Sequence, residues 1–190
     1  MNNPVYAKIK EDIAEELEHN KKYLNDLESE PIEVSKTLVQ KSKEIMVIVC
    51  KILEDDTDKT IIVNPMIGVS YELLIKAILL RKGLNIKKDN NITISFRDCR
   101  NELSQFLNNF NPRQIERILD VIDLVIARRN NDAHLFYSGF SFYRQPYQIF
   151  CTYSVLLKTF FPEYYSESDF SRCLEIFKVK DAIDYEEVFL

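Results

Sequence analysis

Glycine is scarce in this chain of 190 residues, which contains three glycines and six prolines. Proteins built from many short strands need turn residues at frequent intervals, and so few glycines and prolines cannot supply them. Long uninterrupted segments rich in Leu, Ile, Lys and Glu favour helices instead. The sequence therefore predicts an all-α fold, and a single domain of this length can bury a substantial core.

The spacing of the apolar residues predicts about six or seven helices. In chain order they cover about residues 4–27, 31–56, 67–82, 98–110, 111–129, 146–161 and 167–178. The connections between them are predicted to be irregular, with a loop at 55–66 that is briefly extended at Ile61–Val63 and a short strand near residues 91–96.

Two helix ends carry strong local signals. Asn111, Pro112 and Gln114 have the residue types of an N-cap, N1 and N3, which predicts the start of a helix. Gly83 follows an apolar segment and predicts the C′ position of that central helix. Within the same helix, Glu72 and Lys76 stand four residues apart, which predicts either an ordinary ion pair or a role near an active site.

The formal net charge of −5 argues against a protein coated in positive charge for non-specific binding of nucleic acid. The charge is unevenly distributed, however. Residues 70–129 contain 11 basic and 7 acidic side chains, whereas residues 1–60 contain 9 and 14. A local anion-binding site on an acidic protein is therefore permitted.

The four cysteines, Cys50, Cys99, Cys151 and Cys173, form no CxxC pair. We expect reduced thiols, because the N-terminal segment is charged and lacks the apolar core of a secretory signal. Uninterrupted apolar runs are far shorter than the ~20 residues of a membrane span. The sequence thus predicts a cytoplasmic protein that does not associate with a membrane.

The segment from Asp120 to Tyr137 is the strongest candidate for chemistry. An apolar helix runs into two arginines, two asparagines and an aspartate, and His134, one of two histidines in the chain, follows. Five residues turn a regular helix by roughly 140°, so Arg129 and His134 share a face only if the helix ends or bends between them. The asparagines predict such a break at Asn130–Asp132.

Arginine and histidine suit phosphodiester chemistry. A guanidinium is always charged and can grip a phosphate through two hydrogen bonds, and an imidazole can move a proton near neutral pH. The 2′-hydroxyl of RNA supplies an internal nucleophile. The sequence contains no HExxH motif, no His/Cys cluster, no phosphate-binding loop and no GxSxG motif, so we expect neither a metal nor another cofactor. The alternative is that Arg129 and His134 pack or cap locally.

The segment from Arg129 to His134 resembles the Rx4–6H signature of HEPN domains, which are helical bundles of prokaryotic toxins, abortive-infection proteins and other RNA-targeting defence systems. A polar residue, Asn130, follows the arginine, and a small residue, Ala133, precedes the histidine. The earlier segment with Glu72 and Lys76 is similar to the HEPN helix that carries an Ex3K arrangement. The resemblance implies one HEPN-like helical domain over residues 1–190, with its core at about 30–165 and flanking helices at both ends.

The resemblance also implies a function, namely a metal-independent endoribonuclease of a toxin–antitoxin or antiphage system. Arg129 would hold the scissile phosphate, His134 would transfer a proton or stabilise charge, and Asn130 would orient either the substrate or the histidine. Glu72, Lys76, Asp132 and Tyr137 would be supporting residues. The implied partners are an RNA substrate, a second copy of the chain in a homodimer whose cleft holds both motifs, and an antitoxin or another defence-system subunit.

The segment departs from the HEPN pattern at two positions. Phe136 stands where many such toxins have a tyrosine that is modified, with Tyr137 one residue later, and Leu135 replaces a frequent glycine. Two further readings therefore stay open. One is a non-catalytic HEPN-like interaction or regulatory subunit, and the other is an unrelated helical protein in which His134 is structural. The aromatic residues that follow His134 suit either the core or an interface.

Overall fold

The fold is an all-α bundle, as the sequence predicts. The computed structural model describes residues 4–55, 60–88, 92–133 and 146–177. These ranges contain seven α-helices: α1 (Pro4–Ser29), α2 (Pro31–Asp55), α3 (Thr60–Arg81), α4 (Phe96–Leu103), α5 (Pro112–Ala133), α6 (Pro146–Phe160) and α7 (Ser171–Phe177). Two short antiparallel strands, β1 (Lys87–Lys88) and β2 (Ile92–Thr93), form a ladder between α3 and α4.

Helix α3 lies at the centre of the bundle and packs against α2, α4, α5 and α6. Its apolar side chains face nearly every direction, and a helix that is hydrophobic all round is stable only when other helices cover it. Tyr71, Leu74, Ile75 and Ile78 are completely buried. The position of α3 therefore determines which residues of the other helices can meet at one site.

A buried polar network joins α2, α3 and α6. Ser42 and Ser70 each donate a side-chain hydrogen bond to the other's backbone carbonyl, at 2.7 and 2.8 Å. The hydroxyl of Tyr153 lies 2.8 Å from the Ser42 hydroxyl, and burial raises the pKa of this tyrosine. Because each hydroxyl has a partner, the network fixes the register of three helices without leaving buried polar groups unpaired.

The predicted loop at residues 55–66 is wrong for most of its length. Helix α3 begins at Thr60 and includes both Ile61–Val63 and Pro65. A proline inside a helix is costly because its ring removes one backbone hydrogen bond. Val63 and Ile67, however, are buried at 0% and 2% exposure, and the burial of apolar surface outweighs this local preference.

Part of α3 is apolar enough to cross a membrane by length and composition alone. This part is Val63–Arg81, with a mean hydropathy of 1.4, and 67% of it is buried inside the bundle. The uninterrupted apolar runs in the sequence are shorter because charged residues interrupt them. A buried core helix satisfies the same criterion, so the location of the protein stays a prediction.

Both helix-end predictions are confirmed. Gly83 adopts a left-handed conformation with φ of 81°, and the backbone N–H of Leu84 donates to the carbonyl of Leu79 at 2.9 Å, as in a Schellman C-cap. At the start of α5, the Gln114 N–H donates to the Asn111 side chain at 3.0 Å, and the Asn111 N–H donates to the Gln114 side chain at 3.0 Å. This reciprocal pair is a capping box.

Several predicted boundaries shift around the short helices. Helix α4 begins at Phe96 rather than residue 98, because Ser95 and Asp98 form a capping box there, and the chain tightens into a 3-10 turn at Ser104–Phe106. The predicted strand near 91–96 is confirmed only at Ile92–Thr93. The predicted helix at 167–178 consists of a 3-10 turn followed by α7, and Ser166 makes no capping hydrogen bond.

All four cysteines are free thiols, as predicted, and three of them are buried. Burial raises the pKa of Cys99 to about 12. The pKa of Cys173 is raised first by its hydrogen bond with Cys50 and then by burial. The thiolate is the reactive form, so the raised pKa values protect Cys99 and Cys173, and burial shields the Cys50 thiol from solvent.

We expect Ellman's reagent at about pH 8 to react rapidly with no more than one of the four thiols in the native protein, namely the half-buried Cys151. All four should react once the protein is unfolded in guanidinium chloride. A Cys151→Ser variant is the control and should lose the rapid phase. Rapid reaction of two or more native thiols would contradict the burial of Cys50, Cys99 and Cys173.

Candidate functional site

Arg129 lies near the C-terminal end of α5, and its side chain is 33% exposed. Its guanidinium donates from Nη1 to Oε2 of Glu72, which is 57 residues away in the chain and lies on α3. The sequence suggested these two residues from separate motifs and predicted no contact between them. The fold brings the two motifs together.

Glu72 accepts hydrogen bonds on both of its oxygens. The ammonium group of Lys76 lies 2.6 Å from Oε1, which confirms the predicted pair four residues apart, while Oε2 binds Arg129. Lys76 also donates to the hydroxyl of Thr93 on β2 at 2.9 Å. The Lys76 and Glu72 side chains are 10% and 16% exposed, so this three-charge cluster is largely removed from water.

The stem of Arg129 crosses α3 directly over Gly68. A β-carbon built on Gly68 would lie 2.7–2.9 Å from the Cβ, Cγ and Cδ atoms of Arg129. Ordinary carbon contacts are about 3.5–4.0 Å, so no other residue fits at this position without displacing the arginine. The guanidinium then lies 5.9 Å from the centre of the Phe96 ring, within the range of a cation–π interaction.

Two further residues lie near the cluster of Glu72, Lys76 and Arg129. Burial raises the pKa of Tyr23, in the C-terminal half of α1, and the charge of Glu72 raises it further. Cys99 on α4 is fully buried and is close enough to interact electrostatically with both Lys76 and Glu72. Side chains of α1 and α4 thus lie near the cluster, and Arg129 is the most exposed of its three charges.

The predicted break at Asn130–Asp132 is wrong. Helix α5 continues without interruption to Ala133. Each asparagine costs a helix only a few tenths of a kcal/mol relative to better helix formers, and the buried Val125 and Ile126 hold this end of α5 in place. The path of the chain after Ala133 therefore determines whether His134 lies near Arg129.

The remaining predicted site residues are placed only in part. Asn130 is exposed on α5 beside Arg129. Asp132 belongs to the same helix, but its side chain is outside the described part of the structure, as are His134 and Tyr137. Their roles stay predictions.

The aromatic segment after His134 is described only from Pro146 onward. There it contributes to the core, since Tyr147 and Phe150 are 4% and 0% exposed. The rings of Phe150 and Phe177 stack with their centres 6.2 Å apart. The described part of this segment therefore holds α6 and α7 together, and a role in an interface stays a prediction for residues 135–145.

Many cations of the basic block 70–129 are neutralised by acids of other elements. Five of these ion pairs are Arg81–Glu163, Lys87–Glu28, Lys88–Asp98, Arg100–Asp123 and Arg129–Glu72. Arg97 and Arg113 are exposed on α4 and α5. The excess of positive charge in residues 70–129 is thus largely taken up by local ion pairs. An anion would therefore bind at individual cations and not across a broad basic surface.

Three residues at this site, Gly68, Thr93 and Phe96, were not predicted from the sequence. A signal was present for Gly68, because an isolated glycine inside a helical pattern indicates close packing or a functional constraint. Neither Thr93 nor Phe96 carries a comparable signal, since their roles arise from contacts with residues that are distant in the chain.

Comparison of the chain with protein-family models, curated proteins and solved structures found no match. Among residues 4–55, 60–88, 92–133 and 146–177, no group of three or more His, Cys, Asp and Glu side chains is arranged to hold a metal ion.

Proposed function

We propose that this protein is an endoribonuclease of a prokaryotic toxin–antitoxin or antiphage system, with Arg129, Asn130 and His134 as its reactive residues. One observation carries the proposal: Glu72 and Lys76 on α3 meet Arg129 on α5 in a single, largely buried cluster. The resemblance to HEPN domains rests on the same two segments. Their packing against each other in the bundle independently supports the proposal that they form one site.

The cluster can prepare Arg129 to bind a phosphate. A guanidinium has five N–H donors, and the bond to Glu72 engages Nη1, so further donors remain for phosphate oxygens. Lys76 balances the charge of Glu72 and keeps its carboxylate in place. Arg129 is thereby held in one orientation before substrate arrives, which lowers the entropic cost of binding in the transition state.

The proposed reaction uses the 2′-hydroxyl of the RNA. The 2′-oxygen attacks phosphorus and loses its proton, the bond from phosphorus to the 5′-oxygen breaks, and the 5′-oxygen accepts a proton. Arg129 stabilises the charge that develops on the phosphate oxygens, and His134 carries out one of the two proton transfers. Asn130 orients the substrate or the histidine. Two copies of the chain would form the cleft, with one motif on each side.

A cleavage assay in a chelator tests the proposal. Purified protein should cleave single-stranded RNA at the same rate, within about twofold, with or without EDTA, because none of these steps requires a metal. Protein that carries both Arg129→Ala and His134→Ala, purified in the same way, controls for a co-purifying nuclease. Cleavage by that double variant, or loss of wild-type cleavage in EDTA, would contradict the proposal.

The exposed helix α1 favours a second candidate, a non-catalytic interaction or regulatory subunit. The described side chains of α1 before Tyr23 are all exposed, including Ile13 at 52%. A groove of about 240 Å³ lies between α1 and α2 and includes His19, Asp26 and Val34 in its lining. An exposed helix beside a groove suits the docking of another protein.

Expression in a bacterial host separates the two candidates. A ribonuclease should arrest growth, and His134→Ala should relieve the arrest. An interaction subunit should cleave no RNA and should instead co-purify in fixed stoichiometry with a protein partner.

A further inference from the structure

We propose that Gly68 is a positioning residue that fixes the path of Arg129 across α3. Its effect on catalysis rests on the function proposed above. The contacts are with Cβ, Cγ and Cδ of Arg129, at 2.8, 2.9 and 2.7 Å from a β-carbon built on Gly68. Because Gly68 has no side chain, the surface of α3 has a groove at this position. The side chain of Arg129 passes through this groove to reach Glu72.

The contact with Cβ of Arg129 distinguishes this site from a clash with the end of a flexible side chain. A clash with the end of a long side chain is relieved by a change of rotamer, but Cβ moves only with the backbone. A methyl group at position 68 would therefore push the end of α5 away from α3 by about 1 Å, the difference between these distances and an ordinary carbon contact. Arg129 and Asn130 would move with that end of the helix, together with the attachment point of His134.

Gly68→Ala should for this reason reduce RNA cleavage much more than it disturbs the fold. A displacement of about 1 Å at a reacting group can reduce a rate by about 100-fold. We expect kcat to fall by about that factor and KM to change by less than about threefold, because the proposed role of the guanidinium is to stabilise charge that develops in the transition state. In isolation, alanine is the better residue for a helix interior, so local propensity predicts the opposite effect on stability.

Ala77→Val is the matched control. Ala77 is fully buried on the same helix, and its enlargement should also overpack the core, while Arg129 keeps its path over Gly68. If Gly68→Ala and Ala77→Val lower cleavage to the same extent, Gly68 has no positioning role. Cleavage by Gly68→Ala within about threefold of wild type would overturn the proposal as well.

A stability cycle tests the positioning role without any activity assay. In the wild-type background, overpacking by Gly68→Ala should lower the Tm by about 2–12 °C. In an Arg129→Gly background all three contacting carbons are absent, and the same substitution should leave the Tm unchanged or raise it. Equal effects in the two backgrounds would overturn the proposal even if the protein cleaves no RNA. A coupled cycle without RNA cleavage would contradict the proposed function and leave the Gly68–Arg129 contact established.

Discussion

Replacement of Arg129 by alanine should reduce the rate of RNA cleavage by about 10²–10³-fold, the usual cost of removing a group that stabilises charge in a transition state. Replacement of His134 should reduce it by about 10²–10⁴-fold through the loss of proton transfer. If the two act in one step, the double variant should be no more than slightly slower than the worse single variant. Rates of cleavage of a fluorescent single-stranded RNA measure all three effects.

Two variants make this prediction specific. Arg129→Lys retains the charge but loses the planar fork, so it should restore only a small part of the activity. Arg113→Ala removes an exposed arginine from the first turn of the same helix, far from Glu72, and should cleave like wild type. Full activity in Arg129→Ala, or an equal loss in Arg113→Ala, would rule out the assigned role of Arg129.

Replacement of Glu72 by alanine should lower the free energy of unfolding by about 3 kcal/mol. The substitution leaves Lys76 with a 10% exposed side chain and no carboxylate, and removal of one partner from a buried pair typically costs about 3–5 kcal/mol. We take the low end because Arg129 is 33% exposed and water screens its charge. Urea denaturation measures the free energy, and the Tm should fall by about 6–12 °C.

Lys76→Met provides the internal control for this prediction. It removes the buried charge and keeps the volume, so Glu72→Ala combined with Lys76→Met should be considerably more stable than Glu72→Ala alone. Glu33→Ala is the exposed counterpart, because Glu33 pairs with Lys36 at 2.7 Å while both side chains are more than half exposed. Glu33→Ala should lower the free energy of unfolding by less than about 1 kcal/mol. Equal losses for Glu72→Ala and Glu33→Ala would show that the cluster is fully solvated.

Local sequence signals predicted most of the helices because they depend on residues close in the chain. The capping box of Asn111 and Gln114, the left-handed Gly83 and the pair of Glu72 and Lys76 each involve residues no more than a few positions apart. Local signals failed where packing opposed them. Pro65 and the asparagines after Arg129 both favour a helix end, yet α3 and α5 continue through them because their neighbouring apolar residues are buried.

The sequence by itself determined the helical class of this protein, several of its helix ends and the two polar motifs that contain Glu72 and Arg129. These features depend on composition and on residues close together in the chain. Only the tertiary structure decided that Arg129 reaches Glu72, that Gly68 lies beneath its stem and that Phe96 lies against its guanidinium. The physical reason is that these contacts join α3, α4 and α5. Their geometry follows from how three buried faces pack, and no short stretch of sequence encodes that packing.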